Sequence, residues 1–210
     1  MYDDPYAVKR LETYRKLMYL KSGDAILDIG CNVGEMRKYL PKNIKYYGVD
    51  IAYEDYDIKK IDLNYDKIPF NEKFDFILCT EILEHLYHPL NVIEQIPDLL
   101  KPDGIIIISL PNECTIFHRI MMLLGKGITS WDRNDDKHIF YPTIGQSRKF
   151  ISKYFKIIKE NYYINLSGKN SRLEWLGKLT SKIPDELAMG IAYLMPGLFA
   201  RGVIFVCIKY

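Results

Sequence analysis

The segment from Ile26 to Glu35 constrains the fold of this chain more than any other feature of its sequence. It has the sequence ILDIGCNVGE, in which an apolar strand leads into a glycine-containing turn and then into the start of a helix. Gly30 allows a tight turn and the close approach of a ligand, and Gly34 allows the helix to start near the strand. Asp28 is expected to order the turn by accepting hydrogen bonds from backbone N–H groups. This order of elements is typical of a nucleotide-binding turn in an α/β domain.

Short apolar stretches alternate with amphipathic stretches along the rest of the chain. This alternation is typical of a parallel sheet that helices cover on both faces. The pattern predicts strands over residues 25–29, 45–49, 58–63, 74–79, 105–110, 155–163 and 202–208. It predicts helices over residues 5–20, 34–40, 89–100, 116–124 and 143–154. The run Lys101–Gly104 is predicted to be a turn, because proline and glycine interrupt regular structure.

Length and composition predict a single α/β domain over residues 1–210. The chain has 210 residues, of which 48% are hydrophobic and 27% charged, so it can form one core and has little room for a second domain. Residues 112–141 and 165–200 are predicted to be insertions that form a lid on the substrate side. A monomer and a homodimer both remain open.

Charge and cysteine usage narrow the expected partners and compartment. A net charge of +2 gives no electrostatic reason to expect a nucleic acid, and the basic residues near 112–141 are too scattered for such a surface. The four cysteines lie far apart and no export signal is recognised, so a cytoplasmic location is predicted. The apolar stretch Leu187–Ala200 is too short for a transmembrane segment, which leaves only peripheral membrane contact open.

Acidic residues end the next two predicted strands. Asp50 lies twenty residues after Gly30, where a carboxylate can accept hydrogen bonds from both hydroxyls of a ribose. Asp62 could accept from an adenine amino group while Leu63 packs on the ring. Because parallel strands end at the same edge of a sheet, these acids and Asp28 predict an adenosine site at that edge.

Five motifs in this order resemble those of class I S-adenosylmethionine-dependent methyltransferases. They are Ile26–Glu35, Tyr46–Asp50, Ile61–Leu63, Phe74–His85 and Leu99–Gly104, the last followed by the fifth predicted strand. The resemblance covers roughly the first half of the chain and is specific as a set. Within this class, the set of motifs resembles that of the small-molecule methyltransferases of the type 11 and type 23 groups.

The resemblance implies a doubly wound, Rossmann-like sheet of seven strands, mostly parallel with an antiparallel last strand, and S-adenosylmethionine as cofactor. The cofactor-binding residues that it implies are Asp28, Gly30, Cys31, Asn32, Gly34, Asp50, Ile51, Asp62, Leu63, Cys79 and Thr80. The glycine turn would surround the methionine part, and Cys79 and Thr80 would lie beneath the sulfonium. Asn32 stands where the family usually has glycine, but Asn tolerates left-handed backbone angles, so the turn is expected to form.

A cluster of acids and histidines is expected beside the cofactor. Glu81, Glu84 and His85 share one face if they are helical, and His138 follows the predicted insertion. This pattern resembles methyltransferases of the ubiquinone pathway and those acting on small-RNA ends, some of which use a metal. Three interpretations stay open: these residues shape the pocket, His85 or His138 is the catalytic base, or the set binds a divalent metal.

The acceptor is expected to be small or lipid-like. Two loops on the substrate side, 112–141 and 165–200, are rich in apolar residues, and Trp131 and Tyr141 could frame a lid. The same residues could instead simply pack on the sheet. The methylated atom, whether oxygen, nitrogen or carbon, stays open.

Other classes of protein share parts of this pattern. An NAD-dependent oxidoreductase would need a GxGxxG turn, which the spacing of Gly30 and Gly34 does not provide. A module that binds S-adenosylmethionine without catalysis would carry the same cofactor motifs. A polyamine synthase would need acidic residues for its amine acceptor, and the first insertion offers few beyond Asp132, Asp135 and Asp136.

Overall fold

A computed structural model describes residues 5–125, 138–164 and 184–210, apart from the side chains of residues 5, 6 and 185. The predicted lid residue Trp131 and about half of the predicted insertion 165–200 lie outside the described residues, so the prediction of one domain over 1–210 stays a prediction. Within the described ranges, no helix is both long and apolar enough to cross a membrane.

The described elements alternate as the sequence predicts. The strands are β1 Ala25–Ile29, β2 Lys45–Asp50, β3 Ile58–Lys60, β4 Phe74–Thr80, β5 Leu100–Pro111, β6 Lys156–Tyr163 and β7 Gly202–Ile208. The α-helices are α1 Pro5–Leu17, α2 Pro89–Ile93, α3 Ile96–Leu99, α4 Ile116–Leu123, α5 Ile144–Ile151, α6 Asp185–Leu194 and α7 Pro196–Phe199. Two 3₁₀ helices cover Glu35–Tyr39 and Leu83–His85.

The strands form one seven-stranded sheet with the order β3-β2-β1-β4-β5-β7-β6. The pairs from β3 to β5 are parallel, and β7 runs antiparallel to both of its neighbours, β5 and β6. This topology confirms the predicted doubly wound sheet with an antiparallel last strand. It also brings the carboxyl ends of β1, β2, β4 and β5 to one edge, where ligands bind in such folds.

Helices cover both faces of the sheet, as predicted. Successive side chains of a strand point to opposite faces, so Leu27 and Ile77 face α2, α3 and α5, whereas Ile26 and Leu78 face α1. All four of these side chains are fully or almost fully buried. The two apolar layers hold the carboxyl ends of the strands in fixed positions.

Several predicted helices are shorter than expected. The helix predicted over 34–40 is the 3₁₀ helix Glu35–Tyr39, confined between a left-handed Gly34 and Pro41. The helix predicted over 89–100 is divided into α2 and α3, because the ring of Pro97 would clash with the carbonyl of Ile93 in a continuous helix.

The strand predicted over 58–63 ends at Lys60, since residues 62–66 form a turn that is closed by hydrogen bonds to the Asp62 carbonyl.

The prediction of a turn over Lys101–Gly104 was wrong, because these residues belong to β5. Leu100 already pairs with Phe74, and the ladder continues at Ile105 after a bulge. The Leu100 side chain folds over Gly104, where a Cβ would lie 2.7 Å from it, so glycine permits this packing. The bulge lets one strand continue through the proline and the glycine, because the residues between the two paired positions need not match the ladder.

Candidate active site

The glycine turn after β1 adopts the left-handed backbone angles that its sequence predicts. Gly30, Asn32 and Gly34 have φ values of 74°, 50° and 70°. The backbone N–H groups of Gly30 and Cys31 both donate to the carbonyl of Val49, at 2.8 and 3.2 Å. Asn32 therefore replaces a glycine without losing the turn, as predicted, and β2 fixes the position of the turn.

Gly30 is approached closely by a neighbouring side chain. A Cβ at Gly30 would lie 2.5 Å from Cγ1 of Ile82, which follows β4. The close approach that the sequence assigns to a ligand is therefore made, in this structure, by Ile82. The glycine is required whether or not a ligand is present, because its φ of 74° and the contact with Ile82 both exclude a side chain.

Asp28 contacts a neighbouring strand instead of the backbone of the turn. Its carboxylate accepts a hydrogen bond of 2.8 Å from the hydroxyl of Tyr46 in β2. The expectation that Asp28 orders the turn through backbone N–H groups was wrong, because the side chain points into the packed interface with β2. Burial raises the pKa of Asp28 to about 6, although the hydrogen bond from Tyr46 opposes that shift.

Asp50 holds the turn together from the end of β2. One carboxylate oxygen accepts from the backbone N–H of Asn32 and the other from that of Ala52, both at 2.8 Å. Each oxygen of a carboxylate can accept more than one hydrogen bond, so capacity remains for the two hydroxyls of a ribose. Ile51, which follows Asp50, is 57% exposed and offers an apolar surface at the same edge.

The third predicted acid lies in the turn after β3. Asp62 accepts hydrogen bonds of 2.9 Å from both the backbone and the side-chain nitrogen of Asn64. Leu63 is only 4% exposed and packs in the core beneath α2. The structure therefore leaves Asp62 at the edge of the sheet and encloses most of the Leu63 side chain.

The cysteines of the predicted cofactor set have different environments. Cys79 is fully buried in the core, where burial raises the pKa of its thiol, and Thr80 beside it is half-buried at the end of β4. Cys31 is 7% exposed and covers Gly48, where a Cβ would lie 2.6 Å from its sulfur. Neither thiol has the lowered pKa of a nucleophile.

Glu81 joins a polar network that links the first helix to the end of the sheet. Arg10 of α1 donates to its carboxylate at 2.7 Å, and the hydroxyls of Ser109 and Tyr163 donate to the other oxygen at 2.7 and 3.0 Å. Tyr14 extends the network through a bond of 2.9 Å to Ser109. These contacts hold α1 over the edge of the sheet where the cofactor is expected.

Glu81 does not share a helix face with Glu84 and His85, so that expectation was wrong. Glu81 has a φ of 53°, and the 3₁₀ helix begins only at Leu83. The left-handed residue turns the Glu81 side chain towards α1, away from the other two. A left-handed residue other than glycine is uncommon and typical of functional sites.

Glu84, His85 and His138 come together beside β4, as predicted. Their ligand atoms all lie within 4.8 Å of one another, and the rings of His85 and His138 are 4.6 Å apart, edge to face. Glu84 is 1% exposed, and neither of its carboxylate oxygens has a hydrogen-bond partner among the described residues. Burial, followed by the charge of Glu81, raises the pKa of Glu84 to about 8.

Glu113 also faces this cluster, and the sequence prediction missed it. One of its carboxylate oxygens lies 3.4 Å from Nδ1 of His138, and the other lies 3.7 Å from Nε2 of His118. Burial raises the pKa of Glu113, but His138, Arg201 and His118 lower it and prevail. Its position just after the most apolar strand, at the carboxyl edge of the sheet, was the only signal that could have indicated this role.

An apolar cleft of about 420 Å³ lies between the second 3₁₀ helix and α5. Its walls include Leu83, Leu110, Phe140 and Phe150, and Glu84 lines it together with Ser147. The Ser147 hydroxyl is buried and, like the Glu84 carboxylate, has no hydrogen-bond partner among the described residues. A cleft of this size, with a few polar groups on apolar walls, suits a small molecule.

Known proteins match this chain in sequence and in fold. A methyltransferase domain family matches residues 6–150. The ubiquinone biosynthesis O-methyltransferase of Actinobacillus pleuropneumoniae serotype 7 is 29% identical over 122 residues, 49% of this chain and 52% of that protein. The enzyme of the same name from Colwellia psychrerythraea is 33% identical over 103 residues, 42% of each chain. The chain thus spans about half the length of the curated relatives it matches.

The fold itself is shared with a solved structure of low sequence identity. Coclaurine N-methyltransferase, bound to N-methylheliamine and SAH, has a TM-score of 0.62 and 15% identity to this chain. The similarity covers 98% of this chain and 71% of that one. At this low identity the similarity concerns the fold alone. The similar proteins thus include both an O-methyltransferase and an N-methyltransferase.

Proposed function

The chain belongs to the class I S-adenosylmethionine-dependent methyltransferases, as the family match over residues 6–150 and the sheet topology show, and from this premise we propose its reaction. We propose that it transfers the methyl group of S-adenosylmethionine to a small or lipid-like acceptor. The observation that carries the proposal is the cluster of Glu84, His85 and His138, which lies beside an apolar cleft at the edge that carries the glycine turn.

The turn after β1 supports binding of the cofactor's adenosine and methionine parts. Gly30, Asn32 and Gly34 are already held in the required backbone angles, so little conformational entropy is lost on binding. Asp50 keeps acceptor capacity for the ribose. Asp62 and Ile51 flank the same edge and offer a carboxylate and an apolar surface to the adenine.

Methyl transfer itself is a direct displacement at a positively charged sulfur. The leaving group is already activated, so the protein mainly aligns the acceptor atom with the methyl group. A base is needed only where the acceptor atom carries a proton that must leave. His138 and His85, which lie beside the cleft-lining Glu84, are the groups that would accept this proton.

The same three side chains fit a divalent metal. A buried carboxylate and two imidazoles are ligands that such ions accept, and their ligand atoms lie within 4.8 Å of one another. Among the residues that the structure describes, the carboxylate has no hydrogen-bond partner that would compete with an ion. Glu81, expected as a fourth ligand, is bound to Arg10 instead, which leaves a three-residue set. A bound metal would lower the pKa of an acceptor hydroxyl.

Formation of S-adenosylhomocysteine tests the proposal directly. The purified protein is incubated with S-adenosylmethionine and a panel of phenols, alcohols, amines and prenylated rings, with and without a chelator. Acceptor-dependent product supports the proposal, and its loss with the chelator followed by recovery with added metal supports the metal site. If calorimetry detects no binding of S-adenosylmethionine at millimolar levels, the proposed methyl transfer is refuted. Binding without transfer to any acceptor would favour a non-catalytic module, and binding of NADH an oxidoreductase.

A further inference from the structure

His138 lies between two carboxylates that face its two ring nitrogens. Nδ1 is 3.4 Å from Oε1 of Glu113, and Nε2 is 4.0 Å from Oε1 of Glu84. The ring is mostly buried, with 20% of the side chain exposed. The two carboxylates differ in position, since Glu84 lines the cleft whereas Glu113 lies on the segment that follows β5.

The segment that carries Glu113 is fixed by several contacts. The buried Asn112 side chain donates to the carbonyl of Ala200 at 2.8 Å and accepts from the N–H of Cys114 at 3.2 Å. His118 lies 3.7 Å from the second oxygen of Glu113, and its other ring nitrogen is 3.0 Å from the Thr115 hydroxyl. His118 and His138 therefore contact different oxygens of the Glu113 carboxylate.

We propose that Glu113 is a positioning residue that acts through His138. A carboxylate beside Nδ1 favours the tautomer that carries its proton there, which leaves the lone pair of Nε2 directed towards Glu84 and the cleft. That tautomer is required if His138 accepts a proton from the acceptor, as in other carboxylate–histidine pairs. It is equally required if Nε2 binds a metal, because metal-bound histidines generally donate their other N–H to a carboxylate. The proposal rests on the proposed function for its catalytic consequence, but its structural claim stands alone.

Two variants separate positioning from simple structural support. E113Q keeps the shape of the side chain and removes its charge, whereas E113D keeps the charge. We expect E113Q to lower kcat by about 10- to 100-fold, with the dissociation constant of S-adenosylmethionine within about 2-fold of the wild type. E113D should recover part of this loss. E94Q, at an exposed position on the C-terminal side of α2, is the matched control and should retain full activity.

Nitrogen NMR of the histidine rings reads the tautomer itself. The chain has four histidines, so selective labelling and the single variants H85Q, H88Q, H118Q and H138Q assign every ring signal. At a pH where the rings are neutral, we expect His138 to carry its proton on Nδ1 in the wild type and to populate both tautomers in E113Q. A proton on Nε2 in the wild type, or an unchanged His138 signal in E113Q, would overturn the proposal.

The kinetic measurement and the NMR measurement test the proposed function and the role of Glu113 separately. If the wild type transfers no methyl group, the proposed function fails while the NMR result still decides the role of Glu113. If the wild type is active but E113Q loses less than about 2-fold in kcat, Glu113 does not position a catalytic group. Should E113Q not fold, the wild-type tautomer and the kcat of E113D decide the matter, since full loss in a folded E113D would contradict a role for the charge.

Discussion

The turn after β1 and the cleft beside α5 differ in how their buried polar groups are satisfied. In the turn, Asp28 accepts from Tyr46, and Asp50 accepts from the backbone at both oxygens. In the cleft, the buried Glu84 carboxylate and Ser147 hydroxyl have no hydrogen-bond partner among the described residues. A buried polar group without a partner costs about 1–3 kcal/mol, so such groups persist mainly where another function needs them. The acids at the turn thus already have partners within the protein and keep only spare acceptor capacity for a ligand, whereas the cleft presents buried polar groups with no partner among the described residues.

The largest effect that would sharpen this comparison concerns His138. H138Q removes the group that we propose takes the proton of the acceptor, so we expect kcat to fall by about 100-fold or more. Binding of S-adenosylmethionine should stay unchanged, because the turn does not use this residue. Turnover and calorimetry on the same preparation measure the two effects, and equal losses in both would erase the distinction between the two regions.

The converse change is D50A. It removes the proposed acceptor for the ribose together with the hydrogen bonds from the backbone N–H groups of Asn32 and Ala52. Two lost hydrogen bonds of about 1–2 kcal/mol each correspond to a fall in cofactor affinity of roughly 30-fold or more. Calorimetric titration with S-adenosylmethionine measures it, with E54Q at a nearby exposed position as the control. An unchanged affinity would refute the ribose role of Asp50.

Two glutamates three residues apart should respond oppositely to the same substitution. E84L removes a buried carboxylate that has no hydrogen-bond partner within residues 5–125, 138–164 and 184–210, so the free energy of unfolding should rise by about 1 kcal/mol while methyl transfer is lost. E81L leaves Arg10 without its ion pair and should lower the free energy of unfolding by about 1–2 kcal/mol. This figure is modest because both side chains are partly exposed. Urea denaturation compares them, and the same sign in both would contradict this account.

A further expected effect is a pH dependence of stability that comes from Asp28. Its pKa of about 6 lies above the unfolded value, so the folded protein binds more protons and stability falls as the pH rises from about 4 to 7. D28N cannot titrate, and Asn can still accept from Tyr46. Denaturation midpoints at several pH values should therefore decline less steeply in D28N than in the wild type. A parallel decline would place the titration elsewhere.

The sequence predicted the cofactor turn well because its determinants are local. The φ values of Gly30, Asn32 and Gly34 follow from residue types that tolerate left-handed angles, and the apolar strand beside them fixes the register. The roles of Glu81 and Glu113 were missed because each depends on residues far away in the chain. Arg10 is 71 positions from Glu81, and no local pattern indicates that these two side chains meet.

The division of the acidic residues could not be predicted for the same reason. A helical spacing placed Glu81 and Glu84 on one face, but the left-handed backbone at Glu81 separates them. The predicted turn Lys101–Gly104 failed similarly, since pairing of Leu100 with Phe74 overrides the local preference of proline and glycine.

The network at Glu81 joins two segments that lie far apart in the chain. Arg10 belongs to the first helix and Tyr163 to the strand beside the C-terminal one, and both are bound to the same carboxylate. The first helix therefore cannot detach without disturbing the residue that follows β4. The first helix and β6 are linked through this one carboxylate, so local unfolding of either element would disturb Glu81, three residues before the proposed catalytic Glu84.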